Sequence, residues 1–226
     1  MAARPDDAGS PEYDSDVLSR SEIPAATFRP DRFQGGYFEL EISIDSTDPA
    51  VARAAFVALW SHPELFGPLP ERSLEERPLH PEHTHLATIV YGAARLPGGH
   101  VAACASYGSD PAQRDCPFAA KGRIWRGLGV PMGSMPRAYG VGGYPFERGS
   151  VDWILPLSHW FRNLAERVND VVPIAGAAIG HECNGELPRA VSGVGAERWF
   201  GYLVREGSGF HWFPQTNFGA HFTFGR

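Results

Sequence analysis

Two short turn sequences constrain this chain more than any other feature. Pro97-Gly98-Gly99 joins two β-rich runs, 86–96 and 99–107, and Glu206-Gly207-Ser208 joins 199–205 to 209–213. Connections this short only turn a chain back beside itself, so each pair reads as an antiparallel hairpin. Parallel strands would need a crossover of a dozen residues or more. Two hairpins therefore commit much of the sheet to antiparallel pairing.

The remaining elements follow from apolar period. In 36–44, Phe38, Leu40, Ile42 and Ile44 alternate with Tyr37, Glu39, Glu41 and Ser43, the pattern of a half-buried strand with one wet face. Asp48-Pro49 supplies an N-cap and a first-turn proline for a helix over 50–60. A second helix is marked by Leu157, Trp160, Phe161, Leu164 and Val168 at spacings of three and four. Runs 122–130, 174–182 and 218–224 read as further strands. With five prolines, 61–85 reads as a long irregular connection, and 127–150, with seven glycines and three prolines, is equally hostile to regular structure.

The predicted fold class is α+β: a single mostly antiparallel sheet of about six to seven strands with two helices on one face. Residues 1–30, acidic and proline-rich with few large apolar side chains, are expected to form a flexible tail. Residues 31–226 are expected to form one domain. A chain of 226 residues that is 43% hydrophobic can build its own core without disulfide or metal.

Charge and cysteine usage narrow the partners. The net charge is −6, and five acids against two arginines in residues 1–20 supply half of it. A nucleic-acid binder needs a basic face. The one short basic cluster, Lys121, Arg123 and Arg126 around Trp125, reads as the solvated side of a strand. The expected partner is thus another protein, not nucleic acid and not a membrane. Cys104, Cys116 and Cys183 form no CxxC pair and no even set, which argues for a reducing compartment. The longest nearly apolar stretch, 171–180, is about half of what a membrane span requires. A cytoplasmic protein is expected.

The sequence carries no GxxxxGK[ST], GxGxxG, GxSxG or HExxH signature. Three local features carry chemistry instead. His83 and His85, if extended, project from one side of the chain and are the candidate ligands of a divalent metal. His181, Glu182 and Cys183 follow a buried-looking strand and are the catalytic candidates, although a strand sets their side chains parallel and a polar strand end capped by Asn184-Gly185 is the favoured account. Tyr139, Tyr144 and Phe146 in the glycine-rich stretch, with Trp125, are the candidate partner-binding aromatics, because rigid rings on adaptable chain suit recognition.

The leading functional expectation is a non-enzymatic protein-binding protein: an antagonist, immunity-type inhibitor or adaptor gripping its partner with the long aromatic, glycine-rich loops. The alternative is a small enzyme with a His/Glu site, acting on a small molecule. A divalent metal is the one cofactor in view, and it belongs to that alternative. A metal-free version of it would need a different pocket of perturbed titratable groups.

Overall fold

The alternating run forms the strand it encodes, β1 (Tyr37–Ile44), and this strand lies in the middle of the sheet. The structure, a computed structural model, describes residues 17–109, 123–140, 152–183, 187–188 and 190–217. The other described strands are β2 (Leu65–Leu69), β3 (Val90–Leu96), β4 (His100–Gly108), β5 (Ile124–Pro131), β6 (Gly176–His181), β7 (Gly201–Glu206) and β8 (Gly209–Phe213). They make one sheet in the order β2-β3-β4-β5-β1-β6-β7-β8, and every neighbouring pair is antiparallel. Both hairpins form at the two turns read from the sequence. Among the described residues the strand count is eight rather than six to seven, and β2 lies inside the stretch expected to be irregular. The expected strand at 218–224 lies outside the described residues.

Among the described residues three α-helices accompany the sheet. In α1 (Pro49–Trp60), Asp48 caps the first turn by accepting from the Ala50 amide at 2.8 Å, and Pro49 occupies the first turn. The short α2 (Met135–Tyr139) ends at Gly140, whose φ of +64° is a left-handed position. The long α3 (Ile154–Val171) buries Leu157, Trp160, Phe161, Leu164 and Val168 along one stripe, as its spacing requires. α1 and α3 pack on each other and on one sheet face. There Phe38 meets Trp153 edge-on at 5.4 Å and Phe161 at 6.2 Å, above a core that includes Leu40, Ile42, Ile44, Leu128 and Ile179.

The opposite face is covered as well. Adjacent residues of a strand point to opposite faces, and Ala94 belongs to the helix-side core while Ala93 joins a second cluster with Leu18, Ile23, Phe28 and Leu69. Residues 20–33, most of which fall within the expected tail, form three 3-10 turns that carry these apolar anchors onto the face. The Leu18 amide donates to the Pro63 carbonyl at 2.7 Å, and Arg95 pairs with Glu22 at 2.6 Å.

Because Phe38 joins β1 to α3 at the centre of the helix-side core, its truncation tests this packing. Phe38→Ala should cost about 3–5 kcal/mol, read as a lowered urea midpoint with an unchanged slope. A loss below ~1 kcal/mol would mean that β1 and α3 are not packed as described.

Candidate functional site

The polar side of β1 was expected to face water, and the structure buries it: Glu39 and Glu41 are each only 6% exposed. The reason is register. Glu39 lies opposite Gly129 of β5 and Gly180 of β6, and Glu41 lies opposite Gly127 and Ala178. Residues directly opposite in antiparallel pairs share a face, so the two carboxylates rise from a floor with almost no side chains of its own.

Aromatic rings from the next positions fill that space. The Tyr37 ring lies over Gly129, the Tyr107 ring over Gly127 and the Phe200 ring over Gly180, each occupying the place a Cβ would need. Tyr37 meets Tyr107 at 6.2 Å, and Tyr107 meets Trp125 edge-on at 5.6 Å, which forms one aromatic bank. Phe200 and Tyr202, edge-on at 6.3 Å, form part of the other. These rings are themselves half-buried, so the banks reach solvent while the carboxylates between them do not.

The electrostatic consequence is strong. Burial pushes the Glu39 carboxyl up to about 9, and the neighbouring Glu41 and Glu182 carboxylates push the same way. The Cys183 backbone N–H, bonded to that carboxyl, opposes them. Glu182 carries a left-handed φ of +47°, rare for a residue with a side chain. This kink follows the Glu182 amide's bond to the Tyr37 carbonyl at 2.9 Å and turns the next amide toward Glu39. Glu39 is therefore protonated at neutral pH, in a site bordered by two further carboxyl groups.

The sequence-derived candidates distribute unevenly around this face. Glu182 stands at its rim. Cys183 lies beneath it with its thiol 4.0 Å from the Glu39 carbonyl. Burial and the nearby Glu39 and Glu41 carboxyls push that thiol far up, the opposite of what a nucleophile needs. His181 is paired with Phe38, so it lies on the helix side; its Nε2 is 3.3 Å from the Gly35 carbonyl, and burial lowers its pKa. Trp125 belongs to the aromatic bank. Tyr139 belongs to the helix-side core, stacked on Trp153 at 5.7 Å, where burial pushes its hydroxyl up to about 12. Tyr144 and Phe146 lie outside the described residues. Arg126, read from sequence as solvated, is 1% exposed on the helix side, with its guanidinium 5.7 Å from the Phe56 ring centre.

The histidine-rich segment lies elsewhere. His83 closes a 3-10 turn, Pro81–His83, rather than beginning an extended run. The turn groups His83 with His80 and Glu82, and His85 is not among the three.

Glu39 and Glu41 escaped sequence reading as a site because alternation marks them as polar without saying what covers them. The available signal was the glycine content of the strands at 124–131 and 176–181. No protein-family model, no curated protein and no solved structure matches this chain.

A carboxyl whose folded-state pKa is raised stabilises least at high pH. Below about pH 4.5 Glu39 holds its proton in both states; between there and about pH 9 only the folded chain keeps it. Stability should therefore fall across that window by up to ~1.4 kcal/mol per pH unit from this group. Glu39→Gln should flatten the decline and stabilise the protein at pH 8, measured by urea unfolding at pH 5, 7 and 9. Parallel pH profiles for the two proteins would show that Glu39 is not desolvated.

Proposed function

We propose that this is a protein-binding protein, an inhibitor or adaptor, that takes a cationic side chain of its partner onto the Glu39 carboxyl between the aromatic banks. The observation that carries this reading is the Glu39 carboxyl, buried on a floor of Gly129 and Gly180 beside half-exposed aromatic rings. A buried carboxylate is costly unless a cation or hydrogen bonds compensate it. An incoming guanidinium or ammonium would supply that compensation and stack on the rings. The face already accepts one guanidinium in this way: Arg72 lies 4.4 Å from the Phe33 ring centre and 5.0 Å from that of Tyr91, close enough to influence Tyr37. Interfaces are commonly anchored by a few such aromatic and charged residues. The net charge of −6 would favour encounter with a basic partner.

Cys104 and Cys183 are both free and buried, which suits a reducing compartment such as the cytoplasm. Among the described residues no helix is long and apolar enough to cross a membrane.

A second, enzymatic reading draws on Glu39 alone. A carboxylic acid held protonated at neutral pH beside other carboxyl groups is the arrangement that general acid catalysis uses. It is metal-free, and within the His181–Cys183 segment it draws on the Glu182 carboxylate, which raises the Glu39 pKa, and on the Cys183 amide, which is bonded to the Glu39 carboxyl.

The protein-binding reading is tested with a displayed library of random peptides selected on the full chain. Enriched peptides should carry arginine or lysine at a recurrent position. Their affinity should fall at least tenfold, about 1.4 kcal/mol, in Glu39→Gln, and replacing that basic residue should do the same. Selection of peptides without basic residues, or of peptides that bind Glu39→Gln as well as the wild type, would overturn it.

A further inference from the structure

We infer that His80, Glu82 and His83 form a surface site for a borderline divalent cation, zinc in the first instance. The three side chains are exposed, and one ligand atom from each lies within 4.8 Å of the others. His80 Nδ1 is 4.0 Å from Glu82 Oε2, and the two imidazole rings lie 5.1 Å apart at an angle of 33°.

The grouping follows from the local sequence. Pro81 occupies the first position of the turn, and a 3-10 turn has three residues per revolution. Residues i and i+3 therefore eclipse, which places His83 beside His80. Glu82 reaches the same point from the intervening position. An extended chain would have paired His83 with His85 instead.

The backbone beneath the site is fixed, so the ligands do not have to be gathered from a loose loop. The His83 amide donates to the His80 carbonyl at 2.9 Å, and Thr84 Oγ1, on a buried residue, donates to the same carbonyl at 3.0 Å. Arg53 of α1 donates through Nη1 to the Pro81 carbonyl at 2.9 Å and to the Thr84 carbonyl. On either side, the Leu79 amide bonds the Pro68 carbonyl at 2.7 Å, and the Leu86 carbonyl accepts from Arg126 at 2.6 Å. The side chains alone must move. Drawing three donors to the ~2.0–2.2 Å that zinc requires takes shifts of about an ångström, which their exposure permits.

Two imidazoles and one carboxylate are a zinc ligand set with a fourth position left for water. The nitrogen donors select zinc, nickel, cobalt or copper over magnesium and calcium, which prefer all-oxygen sites. The site lies on the turn against α1 and is independent of the Glu39–Glu41 face, so neither proposal depends on the other.

The test is calorimetric titration of the tag-free full chain with zinc chloride, and with cobalt chloride monitored by visible absorption. One equivalent of zinc should bind. His80→Ala and His83→Ala should each weaken binding by at least ~10-fold, Glu82→Gln should weaken it less, and His85→Ala should leave it unchanged. Circular dichroism should show every variant folded, since all four residues are exposed. Magnesium chloride should give no heat. The site is refuted if the wild type takes up no zinc at 100-fold excess over protein, or if the His80→Ala/His83→Ala double variant binds as tightly as wild type. Loss of binding in His85→Ala would refute the ligand set proposed.

Discussion

The rest of this structure depends on β1 being enclosed on both faces. It is bonded to β5 on one side and β6 on the other, far from either edge of the sheet. Its even-numbered residues form the floor of the helix-side core, and of its odd-numbered ones Glu39 and Glu41 are buried beside glycines that lie under aromatic rings. The helix-side half of this arrangement is ordinary hydrophobic burial. The other half removes two glutamates from water, which folding normally resists. Whatever stabilises the sheet must offset that cost, and the apolar layer under α1 and α3 is the part of the molecule large enough to do so.

What could be read from the chain in advance was what is local. A hairpin is defined by a few turn residues, and α1 and α3 by a cap and a period, so these elements lie where their own residues put them. β2 was hidden because Leu-Phe-Gly-Pro-Leu has no alternation and contains a proline; it becomes a strand by pairing with β3, with a register shift between Phe66 and Leu69. The segment from Leu18 to Phe33 was hidden for a related reason. Its anchors are too widely spaced to show a period, and they count as core only once Leu69 and Ala93 lie beneath them. Glu39 and Glu41 illustrate the same limit. Alternation established that they share a face, but not that the glycines opposite them would leave room for the Tyr37, Tyr107 and Phe200 rings, two of them distant in sequence. The histidine segment shows the reverse case, where a local rule was present but misapplied: Pro81 sets a 3-10 turn, and this turn rather than an extended chain decides which side chains meet.

The position of Arg126 sharpens the question of what the carboxylates are for. It sits on β5 directly opposite Ile42, so it faces the helices, whereas Glu41 lies opposite Gly127. On the helix side Arg126 donates to the Leu86 and Ser109 carbonyls at 2.6 and 3.1 Å and packs toward Phe56. A buried cation and two buried carboxyl groups thus lie on adjacent strands with the sheet between them. A slip of one residue would bring Arg126 to the same face as Glu41, and it would also turn the apolar set of β5 out of the core. The hydrophobic register therefore overrides a charge pairing that was one position away.

That separation gives the carboxyl face its character. With Arg126 on the other side of the sheet, the residues directly opposite Glu39 are Gly129 and Gly180, which offer no charge and leave room for the Tyr37 and Phe200 rings. A site built only to hold the sheet together would be more stable with apolar residues in these two positions, since well-packed hydrophobic side chains generally match or exceed buried charge in stability. Keeping carboxyl groups there, in surroundings that raise the Glu39 pKa to about 9, sets up a proton that an arriving cation would displace. On the proposed reading such a face would bind more tightly as pH rises toward that value, and it would release a proton into solution when occupied. Binding energy and the relief of desolvation would then act together, and that would let a small acidic face between aromatic banks discriminate a cationic group from a neutral one of the same shape.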